Sequence, residues 1–194
     1  MASRYDDELW ELVPELEHPP DPRVVRFVRA LPPAERALDI GCGDARHSGL
    51  IPAREVVLAD VSSVALKRAW RQGPRDARVV EIEPDAPLPF ADCEFELVVA
   101  IDVIEHVRDT QLWLSELRRV LAPGGLLALT TPAHSRLTAL KWALVGIERD
   151  LDPFSPHLRF YTRRSLSRAL DDLGFTNVAV HHRAGLLLAR AHRP

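Results

Sequence analysis

The amino-acid sequence predicts an α/β protein built on an open, doubly wound, mostly parallel sheet of seven strands, with an antiparallel hairpin strand at the C-terminus. Two observations carry that expectation. From Arg36 onward, apolar runs of strand length alternate with helical patterns, and strands such as EVVLADV (55–61) and FELVVAID (95–102) are apolar on both faces. Strands of that kind belong in a parallel sheet covered by helices on both sides. The first short strand also runs into Gly41-Cys42-Gly43, at the carboxyl edge where doubly wound sheets bind their ligands.

The elements follow in order. Prolines punctuate the first thirty-odd residues, leaving room for short helices near 6–12 and 23–30, the second with Val24, Val25, Phe27, Val28 and Leu31 largely on one face. Residues 1–35 are expected to form a helical cover over a single domain that spans the whole chain. Strands are expected at 37–40, 55–61, 78–83, 95–102 and 126–131. A helix over 63–71 takes Ser62 or Ser63 as its cap. A second, over 110–121, carries Leu112, Leu114, Leu117, Val120 and Leu121 inward and stops at Pro123-Gly124-Gly125. A third, over 162–173, is capped by Thr162 and closed by Gly174. Segments 177–183 and 186–192, broken by Ala184-Gly185, read as a closing hairpin. Proline at position 52 leaves space for only a short helix after the glycine turn.

Composition narrows the function classes. The chain has 194 residues, enough for one well-packed domain, and its 46% hydrophobic and 27% charged fractions are those of a soluble globular protein. No apolar run approaches the roughly 20 residues needed to span a bilayer. The acidic N-terminus does not resemble a signal peptide, so a cytoplasmic location is expected. Two cysteines, Cys42 and Cys93, make neither a disulfide framework nor a zinc site by themselves, and no metal is expected. A net charge of −3 argues against a nucleic-acid partner, because phosphate neutralisation needs clustered cations. The oligomeric state is left as monomer or homodimer.

The glycine turn narrows the ligand. Glycine at 41 and 43 allows positive φ and lets a ligand approach the backbone. Asp60 ends the second strand near the offset at which a carboxylate grips ribose hydroxyls. The dinucleotide fingerprint would need a third glycine at position 46, where this chain has Arg46. Its bulk and charge obstruct a close helix–strand approach, which points to a nucleoside-type cofactor rather than NAD.

Five ordered blocks then carry a resemblance: LDIGCGDA, VVLADVS, PDAPLPFADCEFELVVAIDVIEHV, LRRVLAPGGLLALTTP and HLRFYTRRSLSRALDDLGF. Over about residues 37–175 the chain resembles the class I S-adenosylmethionine-dependent methyltransferases, with their Rossmann-like sheet, in the branch that includes ubiquinone and menaquinone biosynthesis enzymes. The resemblance implies S-adenosylmethionine as cofactor. It implies that Asp39, Gly41, Cys42 and Gly43 line the methionine end, Asp60 holds the ribose, and Val61 packs on the adenine. Asp85 beside Ala86 would accept from the adenine amino group, and Asp102 would lie near the methionine amine and the methyl. Where the family often has a third glycine, this chain has Ala45, which is expected to permit a helix start. The fourth strand ends AIDV rather than in the Asn/Asp-Pro-Pro-Tyr/Phe pattern of enzymes that methylate base amines or glutamine amides, which makes those substrates unexpected.

Transfer from a sulfonium is an in-line displacement, so positioning and exclusion of water carry much of the catalysis. A base is needed only where the acceptor must lose a proton. His106, His134 and His157 are the candidate catalytic residues, each with a structural role as its alternative, and Tyr161 reads as packing. Residues 133–161, with helical spacing of Leu137, Leu140, Trp142, Leu144, Val145 and Ile147, suggest a lid over a small-molecule acceptor, its apolar face either packing into the core or meeting a hydrophobic or membrane-associated acceptor. Trp10 could close the pocket from the other side. Two other classes fit the same motifs: a non-catalytic adenosylmethionine-binding sensor and, with Arg46 against it, an NAD(P)-dependent oxidoreductase.

Overall fold

The computed structural model describes residues 2–13, 19–134, 144, 146 and 157–194. The proposed lid at 133–161 lies mostly outside the described residues. Seven strands form one sheet in the order β3-β2-β1-β4-β5-β7-β6. They are β1 (Ala34–Ile40), β2 (Ala53–Asp60), β3 (Arg78–Glu81), β4 (Phe95–Ile101), β5 (Leu121–Pro132), β6 (Thr176–Arg183) and β7 (Leu186–His192). β1 to β5 pair in parallel, and β7 runs antiparallel to both β5 and β6. The expected fold class is the observed one.

Alternation of side chains decides which helix covers which face. Leu38, Ile40, Val98, Ala100, Leu127 and Leu129 point to one side, where α4 (Thr110–Val120) and α5 (Arg163–Asp172) bury Leu114, Leu117, Leu166 and Leu170 against them. Ala37, Leu97, Val99 and Ala128 point to the other, under Val24, Phe27 and Val28 of α2 (Pro22–Arg29). Beside α2, α3 (Ser63–Gln72) packs Leu66 and Ala69 on Leu58. α1 (Ala2–Leu12) lies against α3.

Local chemistry sets the boundaries. Asp21 caps α2 by accepting the Arg23 amide at 2.8 Å, with Pro22 at the first helical position. Ser62, Asp109 and Thr162 cap α3, α4 and α5. Ala184 and Gly185 both have positive φ, as a two-residue hairpin turn requires, and they join β6 to β7.

Three expectations change. Pro123-Gly124-Gly125 does not open a loop: β5 starts at Leu121, directly after α4, and the register shift between Phe95 and Leu97 absorbs the extra residues. No α-helix follows the glycine turn, only one turn of 3-10 helix at Ser48–Leu50. Ala45 does not start a helix, because its φ is +62°, in the left-handed region that disfavours a Cβ. Arg46 therefore meets no close helix–strand approach; it folds back on Asp44, with Nη2 2.7 Å from Oδ2.

Candidate active site

The strand order reverses at β1, whose neighbours are β2 and β4, so the loops after these strands meet at one edge. Gly41 shows how closely: an added Cβ would lie 2.5 Å from the Val103 side chain, and φ there is +67°. The Gly41 and Cys42 amides both donate to the Ala59 carbonyl. The Gly43 amide donates to Asp60 Oδ2 at 2.9 Å, and the Ser62 amide donates to Oδ1 at 2.9 Å. Asp60 thus ties the first turn to the second, with further lone pairs on each oxygen for a ligand hydroxyl. Val61 is partly buried beside it.

Asp39 lies beneath this turn, 3% exposed, and accepts from Ser48 Oγ at 2.5 Å. Burial, with nearby Asp60 adding, pushes its carboxyl up to about 7 despite the Ser48 bond. Burial likewise raises Asp60, and it raises the Cys42 thiol well above its ordinary value, with Asp39 and Asp60 contributing. Buried carboxylates held this way favour a cationic guest, whose charge would restore their ionisation.

α1 roofs this cluster through a two-ended clamp. Asp7 accepts from Ser62 Oγ at 2.7 Å, Ser63 Oγ at 3.2 Å and the Val64 amide at 3.2 Å. In the other direction, Arg68 donates to the Trp10 carbonyl at 2.7 Å and the Val13 carbonyl at 2.8 Å. The clamp lays the Trp10 ring on Gly43, where a Cβ would sit 2.6 Å from it. The sequence pointed to Trp10 as a closing residue but gave no sign of the clamp.

Asp85 and Ala86 stand in the loop after β3. Asp85 has φ +54°, and its Oδ1 accepts the Asp109 amide at 3.2 Å. α4 fixes this loop: Glu116 takes the Leu88 amide at 2.7 Å, while Arg119 donates to the Leu88 and Phe90 carbonyls. Asp102, just past β4 with φ +53°, is exposed and accepts from Thr130 Oγ1 at 2.8 Å.

The three candidate histidines divide. His106 and His157 meet edge to face, with ring centroids 4.8 Å apart. His134 packs instead on Phe160 at 4.6 Å, and its amide donates to the Tyr161 carbonyl. Between the halves lies Glu105, which the sequence reading passed over. It is 1% exposed, and its carbonyl takes the Leu158 and Arg159 amides, which holds 157–161 against the β4 loop. Its Oε2 accepts from Thr131 Oγ1 at 2.9 Å, while Oε1 is buried without a hydrogen-bond partner among the described residues. Burial pushes this carboxyl up to about 7. The available signal was a second carboxylate in AIDVIEHV, where every residue besides Asp102, Glu105 and His106 is apolar.

His47 was also passed over. Its Nε2 is buried without a partner among the described residues, and burial, then Arg46, lowers its basicity. Asp102 is close enough to act on it electrostatically.

The glycine cradle and buried acids suit a cationic nucleoside ligand, and the comparisons with known proteins agree. The family described as "Methyltransferase domain" matches residues 10–180. The chain belongs to that family. A malonyl-[acyl-carrier protein] O-methyltransferase of Methylococcus capsulatus is 32% identical over 158 residues, covering 78% of this chain and 56% of the relative. A ubiquinone biosynthesis O-methyltransferase of Mesorhizobium japonicum is 32% identical over 136 residues, covering 66% of this chain and 51% of the relative. The chain spans about half the length of these relatives. Among solved structures, a SAM-dependent methyltransferase of Aquifex aeolicus superposes with a TM-score of 0.65 over 90% of both chains at 19% identity, which bears on fold alone. Fold and family are those of S-adenosylmethionine-dependent methyltransferases, for which S-adenosylmethionine is the cofactor. No described helix is long and apolar enough to cross a membrane.

Proposed function

We propose that this chain transfers the methyl group of S-adenosylmethionine to an oxygen of a small-molecule acceptor. The observation that carries the reading is the pair of buried carboxyls, Asp39 and Asp60, under a positive-φ glycine turn at the switch point. The cofactor supplies a methyl on a positively charged sulfur. Asp39, Gly41, Cys42 and Gly43 line its methionine end, Asp60 receives the ribose hydroxyls, Val61 packs on the adenine, and Asp85 with Ala86 meets the adenine amino group. Asp102 stands at the methyl end, between the donor turn and the histidines. The relatives' names favour an oxygen acceptor.

This chain's own work is then to align the acceptor, exclude water and accept a proton. Trp10 closes the donor side. His106, His134 and His157 stand on the acceptor side, where an imidazole can take the hydroxyl proton as the new carbon–oxygen bond forms and the carbon–sulfur bond breaks. A single domain, with 1–35 as cover and 133–161 as acceptor lid, fits this division. Two cysteines without a disulfide suit a reducing, cytoplasmic setting.

Calorimetric titration with S-adenosylmethionine, its demethylated product and NADH tests the reading, followed by turnover across a panel of hydroxylated acceptors. Binding of the first two ligands and methyl transfer are expected. Binding of NADH alone would overturn it, and binding without any turnover would make the chain a sensor.

A further inference from the structure

Glu105, His106 and His157 place one ligand atom each within 4.8 Å of one another, and Glu105 Oε1 lies 4.0 Å from His106 Nε2. We infer that these three residues bind one divalent transition-metal cation of the zinc class at the acceptor side of the pocket. The inference rests on the methyl-transfer reading only for its location and for the use made of the cation.

The donor set selects the ion. Two imidazoles and one carboxylate are borderline ligands suited to zinc and its neighbours, whereas magnesium and calcium prefer oxygen alone. Three protein ligands also leave a coordination position open, the pattern of zinc sites that take a substrate or water. Ligand atoms about 2.1 Å from a tetrahedral zinc stand about 3.4 Å apart. The present separations exceed this by roughly an ångström, within reach of small rotations about the side-chain bonds of three residues.

The Glu105 carboxylate is the second, independent observation. A glutamate kept only to hold the backbone would have its oxygens used or solvated. Here Oε2 is engaged by Thr131, while Oε1 is buried, has no hydrogen-bond partner among the described residues and lies 4.0 Å from His106 Nε2. Second-neighbour support of this kind fixes a ligating carboxylate. The two imidazoles come from distant parts of the chain, and the Leu158 and Arg159 amides on the Glu105 carbonyl hold the His157 loop in place. The open position faces a hydroxyl or carboxylate oxygen of the acceptor, which the cation would orient, and with His106 and His157 as ligands His134 is the imidazole left to take a hydroxyl proton.

Untagged protein, stripped with a chelator, is titrated with zinc chloride at pH 7.5 and checked by metal analysis after dialysis. One equivalent should bind. His157→Ala and His106→Ala should each weaken binding at least tenfold, Glu105→Gln should do the same, and His181→Ala on β6 should change nothing. Cobalt in place of zinc should give visible bands that the His157→Ala variant loses. Absence of stoichiometric binding, or binding that survives His106→Ala and His157→Ala together, would overturn the inference. His157 lies in a loop, so a folding failure of the Glu105 variant leaves the test intact. Cofactor titration of the stripped protein separates the two readings: cofactor binding without zinc binding removes only the metal site, and the reverse removes only the methyl-transfer function.

Discussion

The proposed donor and acceptor sides of the candidate site are built by different means. The donor side comes mostly from one continuous stretch, β1 to α3, roofed by α1, and its buried carboxylates are engaged by bonds from within that stretch, Ser48 on Asp39 and Gly43 and Ser62 on Asp60. The acceptor side is assembled from three separate stretches, around 102–106, 130–134 and 157–161, and it retains a buried, unpartnered carboxylate oxygen. A cofactor of fixed shape allows a compact local motif. An acceptor is met by loops that bring distant residues together and leave polar groups to be satisfied by what binds.

If that contrast holds, substitutions on the donor side should act on cofactor binding and fold together. Asp60→Ala should produce the largest effect: at least a tenfold loss of cofactor affinity by calorimetry, with a lower Tm because two buried amides lose their acceptor. Gly43→Ala should come next. Its Cβ would enter the Trp10 ring at a φ of +56°, costing about 2 kcal/mol or more and dislodging α1. A red shift of tryptophan fluorescence together with a lower Tm checks this; unchanged spectra would mean that Trp10 does not lie on the turn.

Smaller effects sharpen the comparison. In the ligand-free protein, Asp39 keeps its proton up to about pH 7, whereas the unfolded chain releases it near 3.8. The folded state therefore binds more protons in that window, so the Asp39 contribution to stability falls as pH rises from about 4 to about 7 and is flat above. Asp39→Asn should remove this slope and raise the ligand-free Tm at pH 8 while weakening cofactor binding. Denaturant curves across that range read it directly. The smallest effect is Ala45→Gly, which relieves a left-handed alanine and should stabilise by about 1 kcal/mol; destabilisation would mean that the Cβ contacts outweigh the strain.

The same contrast explains what the sequence made legible. The strands buried on both faces, the caps at Ser62 and Thr162 and the Ala184-Gly185 hairpin turn are local or periodic signals, and each stands where expected. Ala45 misled because one residue's identity does not reveal its φ. Pro123-Gly124-Gly125 misled because those residues end a helix whether a loop or a bulged strand follows. Glu105 and His47 were hidden for a third reason: burial and partnership depend on residues 26 to 55 positions away, such as Thr131 with Glu105 and Asp102 with His47.

The central claim is that the donor site is a buried acidic pocket completed by a cationic ligand. Binding S-adenosylmethionine should then ionise Asp39. Calorimetry of the same titration in buffers of different ionisation enthalpy counts the protons released. Close to one proton should leave per cofactor bound at pH 6, falling toward none at pH 8, and Asp39→Asn should abolish the release. Proton uptake, or a release that does not vary with pH in the wild-type protein, would contradict the account.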